Sequence, residues 1–598
     1  MRSGWFSMEL KSRDIYEILS DLAKRRGLFW PSYEIYGGVA GLYDFGPVGV
    51  LIKRNIIEEW LYWLVYSTGL VVEIETPIIT PRIVLKASGH EDHFTDPITE
   101  CTKCGRVFRA DHVVEEQTGI TVEGYSMSDI WKVMIENNVR CPECGGQLTK
   151  PQPALLLFKT EIGPYKGAPG YIRPEAAQGM FVSFKNVFTV VRNKLPLGIA
   201  QVGKVGRNEI SPRQSLIRLR EFTIMEFEFF FDPEKSYEEV MKYMDEELEE
   251  EELFVLTADE KSRGIDRASR YRTLELIEEK IVKNPWMALW MAKGNRFLRE
   301  IGIPGDKIRF EEKLPWERAH YSEQTFDQQV YTRKFGWIEV AGYSYRTTYD
   351  LDRHIEFSRS DLSVFKRYKK PVEKLVRRAI PNPIKIRELA KDKMGKIMEN
   401  ISSMDQEALY QELMSKGYIE IDGVKLGREA FIIKEEKVKI HGEKFVPHVV
   451  EPSFGLERIF YALLEHALSL EKDRIVLKIN PRIAPYQVAV FPLVAGSKPE
   501  HRKIVDIARS LYRALLKARI RAFYDEEGSI GRRYARADEI GIPFALTVDY
   551  QTLEDETITI RYRDTREQIR ISIHEAYDKL LELLNYKGKF KLNFDKYP

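Results

Sequence analysis

The chain has 598 residues, of which 43% are hydrophobic and 31% are charged, and its formal net charge at pH 7 is +1. This length allows several domains with cores of their own, and a balanced net charge excludes neither nucleic acid nor acidic partners, because basic patches can lie within a neutral total. The N-terminal stretch lacks the apolar segment of a secretory signal, and the most apolar run, Trp60–Val72, is too short to cross a bilayer. We therefore expect a cytoplasmic protein that does not enter a membrane.

The first long element predicted along the chain is an amphipathic helix. The stretch PVGVLIKRNIIEEWLYWLVYST, which begins at Pro47, places its apolar residues on one broad face. A predicted strand, LVVEIETPII, follows it and contains Pro77, whose missing N–H suits an edge or an interface.

All four cysteines of the chain fall in one region, as two C-x-x-C-G pairs. Cys101 and Cys104 form the first pair, and Cys141 and Cys144 form the second. A two-residue gap lets both thiolates of a pair face one ion, and the following glycine permits the tight turn around it. The pattern predicts a structural zinc site with four sulfur ligands inside a small inserted subdomain. Two disulfides or unligated thiols are the alternatives.

The stretch from Gly206 to Phe231 predicts a strand, a long turn and a second strand. In the second strand the odd positions from Thr223 to Phe231 are apolar apart from Thr223 and are expected in the core, because alternate residues of a strand point to opposite sides. The even positions carry Arg220, Phe222, Ile224, Glu226 and Glu228. This second face is either the floor of a binding cleft or the solvated side of an edge hairpin.

Farther along, helices are predicted over residues 237–252 and 271–302, strands over 327–351, and an inserted, charged and mostly helical region over 359–443. A strand is then predicted to end at Glu451, to turn through Pro452–Gly455 and to enter a helix with Arg458 in its first turn. Exposed backbone amides at such a junction favour anions. The alternative is an ordinary turn with Ser453 as a helix cap.

Beyond Asn480, strands and helices alternate, which predicts a separate α/β domain. This region has neither a Walker A pattern nor G-x-G-x-x-G, so no nucleotide site is expected in it. Arg532, Arg533 and Arg536 form a modest basic patch near tyrosines. The patch could bind single-stranded RNA, although taken alone it is more typical of a solvated helix face.

Three groups of residues closely resemble the signature motifs of class II aminoacyl-tRNA synthetases: the helix and strand that end in a proline, GRNE with REFTIMEFEFF, and EPSFGLERI. The stretches GLYDFGPVG, SGHEDHF, IRPEAAQG, RNEISPR and GSIGRRYARADEIGIPF narrow the resemblance to the dimeric, archaeal and eukaryotic glycyl-tRNA synthetases. The resemblance implies an α+β class II synthetase core, in which helices flank an antiparallel sheet. It also implies an inserted zinc ribbon, helical insertions and a C-terminal α/β anticodon-binding domain.

Pattern and resemblance together divide the chain into eight predicted segments. They are 1–97, the first part of the catalytic core with motif 1; 98–150, the insertion with the zinc ribbon; 151–233, core with motif 2; 234–320, an insertion for acceptor-stem contact; 321–358, core strands; 359–443, the charged insertion; 444–479, core with motif 3; and 480–598, the anticodon-binding domain.

The resemblance implies which side chains bind ATP, with Arg207 and Arg458 as the catalytic pair. Arg207 would hold the α-phosphate and Arg458 the γ-phosphate, which is electrostatic stabilisation of the transition state. The full ATP set is Arg207, Glu209, Arg220, Phe222, Glu451 and Arg458. In it, Glu209 would accept a hydrogen bond from the adenine amine, Phe222 would stack on the base, Arg220 would add positive charge, and Glu451 would lie near a magnesium ion that bridges the phosphates.

The same resemblance implies the residues that bind the other two substrates. Glycine is expected to contact Glu175, Glu226, Arg346, Glu451 and Ser453. The glutamates and the serine would surround the ammonium group, and Arg346 would reach the carboxylate. The tRNA is expected at Arg213, Arg532, Arg533 and Arg536.

The implied reaction joins glycine and ATP to give glycyl-adenylate and pyrophosphate and then transfers glycine to the 3′ end of glycine tRNA. Motif 1 would form the interface of a homodimer. Two alternatives are a noncatalytic, synthetase-like subunit that binds nucleic acid and a class II synthetase for another small amino acid such as threonine, serine or proline. The presence of Arg207, Glu209 and Arg458 argues against the first, and the crowded acidic pocket argues against the second.

Overall fold

The structure, a computed structural model, describes residues 14–122, 124–210, 212, 214–471 and 474–584. Arg213, which was expected at the tRNA, lies outside these described residues. The described residues form two compact units, one from within 1–362 and 447–598 and the other from within 363–446. No helix in the described segments has the length and apolar character that crossing a membrane requires.

The first part of the larger unit contains the predicted amphipathic helix. Its elements are α1 (Ile15–Arg26), β1 (Phe29–Pro31), β2 (Tyr43–Phe45), α2 (Pro47–Trp60), β3 (Val71–Glu73), β4 (Ile79–Pro81), α3 (Arg82–Ala87) and α4 (His90–His93). Helix α2 has Pro47 at its first position, where the missing N–H costs nothing. It buries Ile52, Ile56 and Trp60, which lie on the predicted apolar face.

A small subdomain with the four cysteines comes next. Its elements are β5 (Thr95–Glu100), β6 (Val107–Arg109), α5 (Ala110–Thr118), α6 (Met127–Glu136) and β7 (Gln152–Leu155). The strands form a sheet in the order β6-β5-β7. Buried residues of both helices pack with Cys101 and Cys141 in one apolar cluster.

The strand pair predicted from the alternating stretch lies at the centre of the larger unit. This part contains β8 (Lys159–Ile162), β9 (Ala168–Ile172), α7 (Ala177–Val190), β10 (Leu197–Gly206) and β11 (Glu221–Phe231). Strands β10 and β11 pair antiparallel. On β11 the odd face is buried from Thr223 to Phe231, as expected for core. Helix α7 covers the far end of the even face, where Phe184 and Phe230 have ring centroids 4.4 Å apart.

The core beneath the odd face of β11 is aromatic. The elements that complete this region are α8 (Ser236–Val240), α9 (Glu246–Glu249), β12 (Glu252–Leu256), α10 (Ala258–Ser262), β13 (Ser269–Arg272), α11 (Thr273–Glu278), α12 (Pro285–Glu300), β14 (Ile308–Glu312), β15 (Gln324–Thr332), β16 (Gly336–Thr347) and α13 (Tyr349–Ser358). Helix α12 packs Trp290 against Phe227 at 4.7 Å and Trp286 against Phe229 at 4.6 Å between ring centroids. These contacts fix the strand, and so they fix the position of the residues on its other face.

The smaller unit departs from the prediction of a mostly helical insertion. It contains β17 (Val364–Pro381), α14 (Pro383–Ala390), α15 (Met394–Ser403), α16 (Gln406–Lys416), β18 (Tyr418–Ile421), β19 (Val424–Gly427) and β20 (Phe431–Phe445). Strands β17 and β20 pair antiparallel as a two-stranded ribbon. The prediction is wrong for these two segments because a ribbon with both faces polar lacks the clear apolar alternation that identifies strands.

The strand of the third motif is longer than predicted. The chain continues with β21 (His448–Gly455) and α17 (Leu456–Ala467), so no turn follows Glu451. Pro452 is opposite Tyr343 of β16, while the pairing of β21 with β11 lapses between Ser453 and Val450. A proline cannot donate to a ladder, and the strand accommodates Pro452 at this gap.

The C-terminal part has the predicted alternation of strands and helices. Its elements are β22 (Leu468–Leu470), β23 (Ile475–Leu477), β24 (Val488–Pro492), α18 (Pro499–Lys517), β25 (Ala522–Tyr524), α19 (Ile530–Glu539), β26 (Phe544–Val548), α20 (Thr552–Asp555), β27 (Thr557–Tyr562), β28 (Gln568–Ser572) and α21 (Ala576–Leu583). Five strands form one sheet in the order β25-β24-β26-β27-β28, with β24 parallel to β25 and to β26.

One nine-stranded sheet organises the larger unit. Its order is β13-β12-β14-β15-β16-β21-β11-β10-β3. Most pairs are antiparallel, while β3 with β10 and β12 with β14 are parallel. Because β16, β21 and β11 are neighbours, residues from distant parts of the sequence meet on one face of this sheet.

Candidate active site

A cleft of about 310 Å³ lies over β11, β21 and β16. Its floor includes Phe222, Ile224 and Glu226, which are even-numbered residues of β11. The face that carries charged residues is therefore the floor of a cleft, and the alternative of a solvated edge hairpin does not apply. The predicted residues that line the cleft are Glu175, Arg207, Glu209, Phe222, Glu226, Glu451, Ser453 and Arg458.

Arg207 lies at one end of the cleft, between two aromatic rings. Its guanidinium carbon is 5.4 Å from the ring centroid of Phe94 and 5.4 Å from that of Phe222. Its Nε donates to the backbone carbonyl of Pro174 at 3.1 Å. Guanidinium groups stack favourably on aromatic faces, so Arg207 is held in place while its remaining N–H groups can meet an anion.

Arg458 reaches the same end from α17. Its Nε donates to the carbonyl of Ile217 at 2.9 Å, and one terminal nitrogen donates to the carbonyl of Glu339 at 2.8 Å. The same nitrogen is 3.2 Å from the carboxylate of Glu339. Partial desolvation opposes ionisation of Glu339, whose side chain is 46% exposed, but the positive charges of Arg458, Lys313 and Arg207 prevail and lower its pKa below the usual value. Glu339 therefore carries a negative charge beside Arg458.

Glu209 and Arg220 have different surroundings although both were expected at ATP. Glu209 lines the cleft and accepts a hydrogen bond from Nε of Arg218 at 2.8 Å. Arg220 is not among the lining residues; its guanidinium donates to the carbonyls of Glu209 at 3.1 Å and of Ala40 at 2.8 Å. Arg220 therefore stabilises the turn between β10 and β11.

Buried carboxylates occupy the other end of the cleft. Glu226 accepts hydrogen bonds from the backbone N–H of Ala176 and from the hydroxyl of Ser453, the latter at 2.7 Å. Burial and the neighbouring Glu175 raise the pKa of Glu226. In Glu175, burial acts in the same direction, but the charges of His90 and Arg346 prevail and lower the pKa. Two adjacent glutamates thus differ in their tendency to hold a proton.

Arg346 lies beneath these carboxylates and not in the cleft. Its guanidinium is fully buried. It contacts four carboxylates: those of Glu451 and Asp350, each at 2.9 Å, Glu175 at 3.5 Å and Glu228 at 3.7 Å. The ring of Tyr321, which lines the cleft, covers the guanidinium at 3.7 Å. The resemblance implied that Arg346 reaches the glycine carboxylate, whereas the structure makes it the counter-charge of the acidic cluster.

The acidic cluster carries more negative charge than one arginine can neutralise. Burial raises the pKa of Glu451 to about 8, and Glu175 and Glu226 act in the same direction while Arg346 opposes them. Burial also raises the pKa of Glu228 well above its usual value, with Glu451 as the next cause. Like charges in a shared site disfavour ionisation of one another. A cation that entered this end would therefore be bound strongly and would displace protons.

The four cysteines meet as predicted. All their sulfur atoms lie within 4.8 Å of one another. The Sγ atoms of Cys101 and Cys144 are 3.5 Å apart, and those of Cys104 and Cys141 are 3.8 Å apart. Tetrahedral sulfur ligands at about 2.3 Å from zinc are separated by about 3.8 Å, so the sulfur cluster fits such an ion. The backbone N–H of Cys104 is the main cause that lowers the pKa of the Cys101 thiol to about 6.

The three arginines expected at the tRNA from the C-terminal domain do not share one environment. Arg533 is 2% exposed and donates to the carbonyls of Gly528, at 2.7 Å, and Pro492. It is a structural residue of α19, so its assignment to a surface patch is wrong. Arg536 bonds Asp525 at 2.6 Å, and Arg532 is exposed.

Sequence reasoning missed several residues of the cleft. Arg218, Tyr321 and Glu339 all line it, and His90 supports Glu175 at 3.3 Å. Arg218 stands within the second-motif stretch, and His90 lies in SGHEDHF, so a signal was present for both. Glu339 reaches the cleft through the pairing of β16 with β21, and Tyr321 reaches it from the segment before β15; no local pattern indicates either placement.

Comparisons with known proteins agree on the architecture. Residues 166–467 match the family model of the tRNA synthetase class II core domain (G, H, P, S and T), and residues 487–583 match that of the anticodon binding domain. The fold also resembles that of a Giardia lamblia prolyl-tRNA synthetase solved in complex with prolyl-adenylate. The TM-score is 0.50 at 14% identity, covering 96% of this chain and 79% of that one.

Relatives along the whole chain are more similar. The glycine--tRNA ligase of Aeropyrum pernix is 50% identical over 578 residues, which is 96% of this chain and 98% of that protein. The glycine--tRNA ligase of Pyrococcus furiosus is 48% identical and that of Methanocaldococcus jannaschii is 43% identical, each over 96% of this chain and 99% of the relative.

Proposed function

The chain belongs to the glycine--tRNA ligases, ATP-dependent aminoacyl-tRNA synthetases with a class II core, and we propose that the cleft over β11 forms glycyl-adenylate. The observation that carries the proposal is the opposite charge of the two ends of one cleft. Arg207 and Arg458 are available to phosphates at one end, and Glu175, Glu226 and Glu451 form a buried acidic pocket at the other. ATP and an amino acid with a free ammonium group have the matching charges.

At the nucleotide end, Arg207 holds the α-phosphate and neutralises the charge that develops when the glycine carboxylate attacks it. Donors placed where charge develops are typically the largest contribution to such catalysis. Arg458 holds the γ-phosphate, Phe222 stacks on adenine, and Glu209 accepts a hydrogen bond from the exocyclic amine. Arg220 acts on the turn that carries Glu209 rather than on ATP.

Magnesium bound to the phosphates supplies additional neutralisation of charge. Oxygen ligands suit this ion. Glu339 lines the cleft beside Arg458 and is the carboxylate that fits it best, because its side chain is 46% exposed, whereas Glu451 is buried and paired with Arg346 at 2.9 Å. We therefore assign Glu339 in place of Glu451 to the metal, and we propose zinc as the ion held by the four cysteine sulfurs, where it stabilises the subdomain.

At the amino acid end, Glu226, Glu175 and Ser453 orient the ammonium group, and Glu451 completes the charge around it. Tyr321 stands between this pocket and Arg346. A pocket that is filled up to the α-carbon rejects larger amino acids by steric overlap. Rejecting a smaller amino acid is much harder, because one methylene contributes only about 1 to 3 kcal/mol to binding in a pocket. Glycine is the substrate for which such a pocket needs no editing.

The tRNA, the dimer and the cellular location are proposals that rest on the family and the sequence. We propose that the C-terminal domain reads the anticodon, with exposed Arg532 near it, and that motif 1 forms a homodimer in the cytoplasm. Tyr62 and Tyr66 follow α2 and are 44% and 59% exposed, which supports an interface there. Light scattering tests the dimer, since a monomeric mass would contradict it.

Exchange between ATP and pyrophosphate without tRNA tests the proposed function. We expect exchange with glycine and none with alanine, serine, threonine or proline. Arg207→Ala should lower its rate about 10²- to 10³-fold, while Arg263→Ala, at a residue 61% exposed beside α10, should leave it unchanged. No exchange with any amino acid from folded protein would favour the noncatalytic binding subunit, and exchange with another amino acid would favour a different class II specificity.

A further inference from the structure

The cysteine-containing subdomain is connected to the nucleotide end of the cleft by a row of alternating charges. The carboxylate of Asp96, on β5, forms an ion pair with Arg109 at 2.9 Å and lies 3.9 Å from a terminal nitrogen of Arg218. Arg218 in turn bonds Glu209 at 2.8 Å. The row Arg109–Asp96–Arg218–Glu209 therefore runs from the subdomain to a glutamate that lines the cleft.

These charges are shielded from solvent. The side chains of Asp96 and Glu209 are 12% and 14% exposed, and those of Arg218 and Arg109 are 19% and 22% exposed. Ion pairs on an open surface contribute little, but removal of one member of a largely buried pair leaves its partner without compensation. Arg218 is thus hydrogen-bonded to one carboxylate in the cleft, Glu209, and lies at ion-pair distance from a second in the subdomain, Asp96.

A second contact joins the same two regions. Nδ1 of His112, on α5 of the subdomain, is 3.4 Å from a terminal nitrogen of Arg218. Burial lowers the pKa of His112, and the charge of Arg109 acts in the same direction. A neutral imidazole can accept a hydrogen bond from Arg218. Two side chains of the subdomain therefore orient one guanidinium group.

We propose that Asp96 is a positioning residue for adenine recognition. Asp96 attracts Arg218, and Arg218 therefore does not pair fully with the carboxylate of Glu209. This inference rests on the proposed role of Glu209 as acceptor for the adenine amine. Without Asp96, the guanidinium of Arg218 is free to pair fully with Glu209 and to compete with the base. The subdomain then contributes to the choice of nucleotide without touching it.

The test compares ATP with inosine triphosphate, in which an oxygen replaces the 6-amino group, on the full-length protein. We expect Asp96→Asn to weaken ATP binding about fivefold, as for the loss of one charged hydrogen bond, and to weaken inosine triphosphate binding less. The ratio of the two dissociation constants is the readout, since a general loosening of the cleft would change both nucleotides equally. The KM for glycine should stay unchanged.

Two variants of the same subdomain accompany it. Asp129→Asn is the matched control, because Asp129 lies on α6 and pairs only with the exposed Lys132 and Ser126 in the described contacts. Arg109→Gln is the second test should Asp96→Asn fail to fold: Asp96 would then draw Arg218 away from Glu209, and the preference for ATP should rise. Circular dichroism verifies the fold of each variant.

Glu209→Gln separates this inference from the proposed function. If Glu209→Gln lowers the preference for ATP while Asp96→Asn and Arg109→Gln leave it unchanged, the positioning role is overturned and the role of Glu209 stands. If Glu209→Gln leaves the preference unchanged, the adenine assignment is wrong and the inference falls with it. A reduced preference in Glu209→Gln and Asp96→Asn and a raised preference in Arg109→Gln, with Asp129→Asn as wild type, support the inference.

Discussion

The two ends of the cleft differ in the sign of their charge and in their exposure to solvent. At the nucleotide end, Arg207 and Arg458 are anchored by backbone carbonyls, and the Arg458 side chain remains 35% exposed. At the amino acid end, Glu175, Glu226 and Glu451 are buried around Arg346, which has no exposure at all. The charged groups of the first end are partly exposed to solvent, whereas those of the second end are buried.

The substrates that we propose for the two ends account for the difference. A triphosphate carries several charges, so exposed arginines can bind it even against the competition of water. The ammonium of glycine carries one charge, and an attraction of that size matters only where the dielectric constant is low. Burial strengthens the attraction, but it requires a counter-charge to keep the empty pocket folded. Arg346 meets that requirement.

The largest effect is expected at Arg346. Arg346→Gln should lower the free energy of unfolding by about 3 to 5 kcal/mol, the usual cost of leaving buried charges without a partner. Urea denaturation measures it. Arg270→Gln, at an arginine that is 61% exposed on β13, is the control and should change little. Equal stability of the two variants would mean that the acidic cluster does not need its counter-charge.

At the nucleotide end the loss should appear in rate and not in stability. Arg207→Ala should lower kcat for ATP–pyrophosphate exchange about 10²- to 10³-fold, as removal of one donor to developing charge does elsewhere. The unfolding midpoint should stay near that of the wild type, because Arg207 makes no buried ion pair in the described contacts. A large loss of stability would remove the contrast between the ends.

The binding of glycine should depend on pH in one direction. Burial raises the pKa of Glu451 to about 8, so at pH 6.5 this group is mostly protonated and cannot attract an ammonium. Glycine binding should lower that pKa, release a proton and tighten up to about tenfold per pH unit as the pH rises towards 8, because each unit corresponds to 1.36 kcal/mol. Above 8 the gain should level off.

Titration calorimetry in buffers of different ionisation enthalpy measures the released protons. Between pH 4.5 and 8, Glu451 binds more protons in the folded protein without glycine than in the unfolded chain. The free energy of unfolding should therefore fall as the pH rises through that window. Bound glycine should offset this loss of stability. Proton uptake on binding would contradict the prediction.

The smallest effect is expected for the hydroxyl of Ser453, which donates to Glu226 at 2.7 Å. Ser453→Ala removes one hydrogen bond and should cost about 1 kcal/mol, which corresponds to about a fivefold higher KM for glycine and an unchanged KM for ATP. Steady-state kinetics with each substrate varied measures both. If only the KM for ATP changed, the assignment of Ser453 to the glycine pocket would be wrong.

The sequence predicted the features that depend on local periodicity. The two faces of β11 and the cysteine cluster follow from spacing alone, and both are confirmed. The burial of Arg346 and of Arg533 could not be predicted, because spacing gives the face of an arginine but not the number of carboxylates or carbonyls that the rest of the fold brings to it. Glu339 was missed for the same reason, since its partner Arg458 is distant in sequence.

The ribbon of the smaller unit has a consequence for the history and the engineering of the chain. Val364 and Phe445, the first residue of β17 and the last of β20, are direct partners in the ladder. Chain positions that flank a ladder pair lie about 5 Å apart, so a short turn could join them. The whole unit can therefore be gained, lost or exchanged for another module in one event, without rerouting the strands that build the cleft.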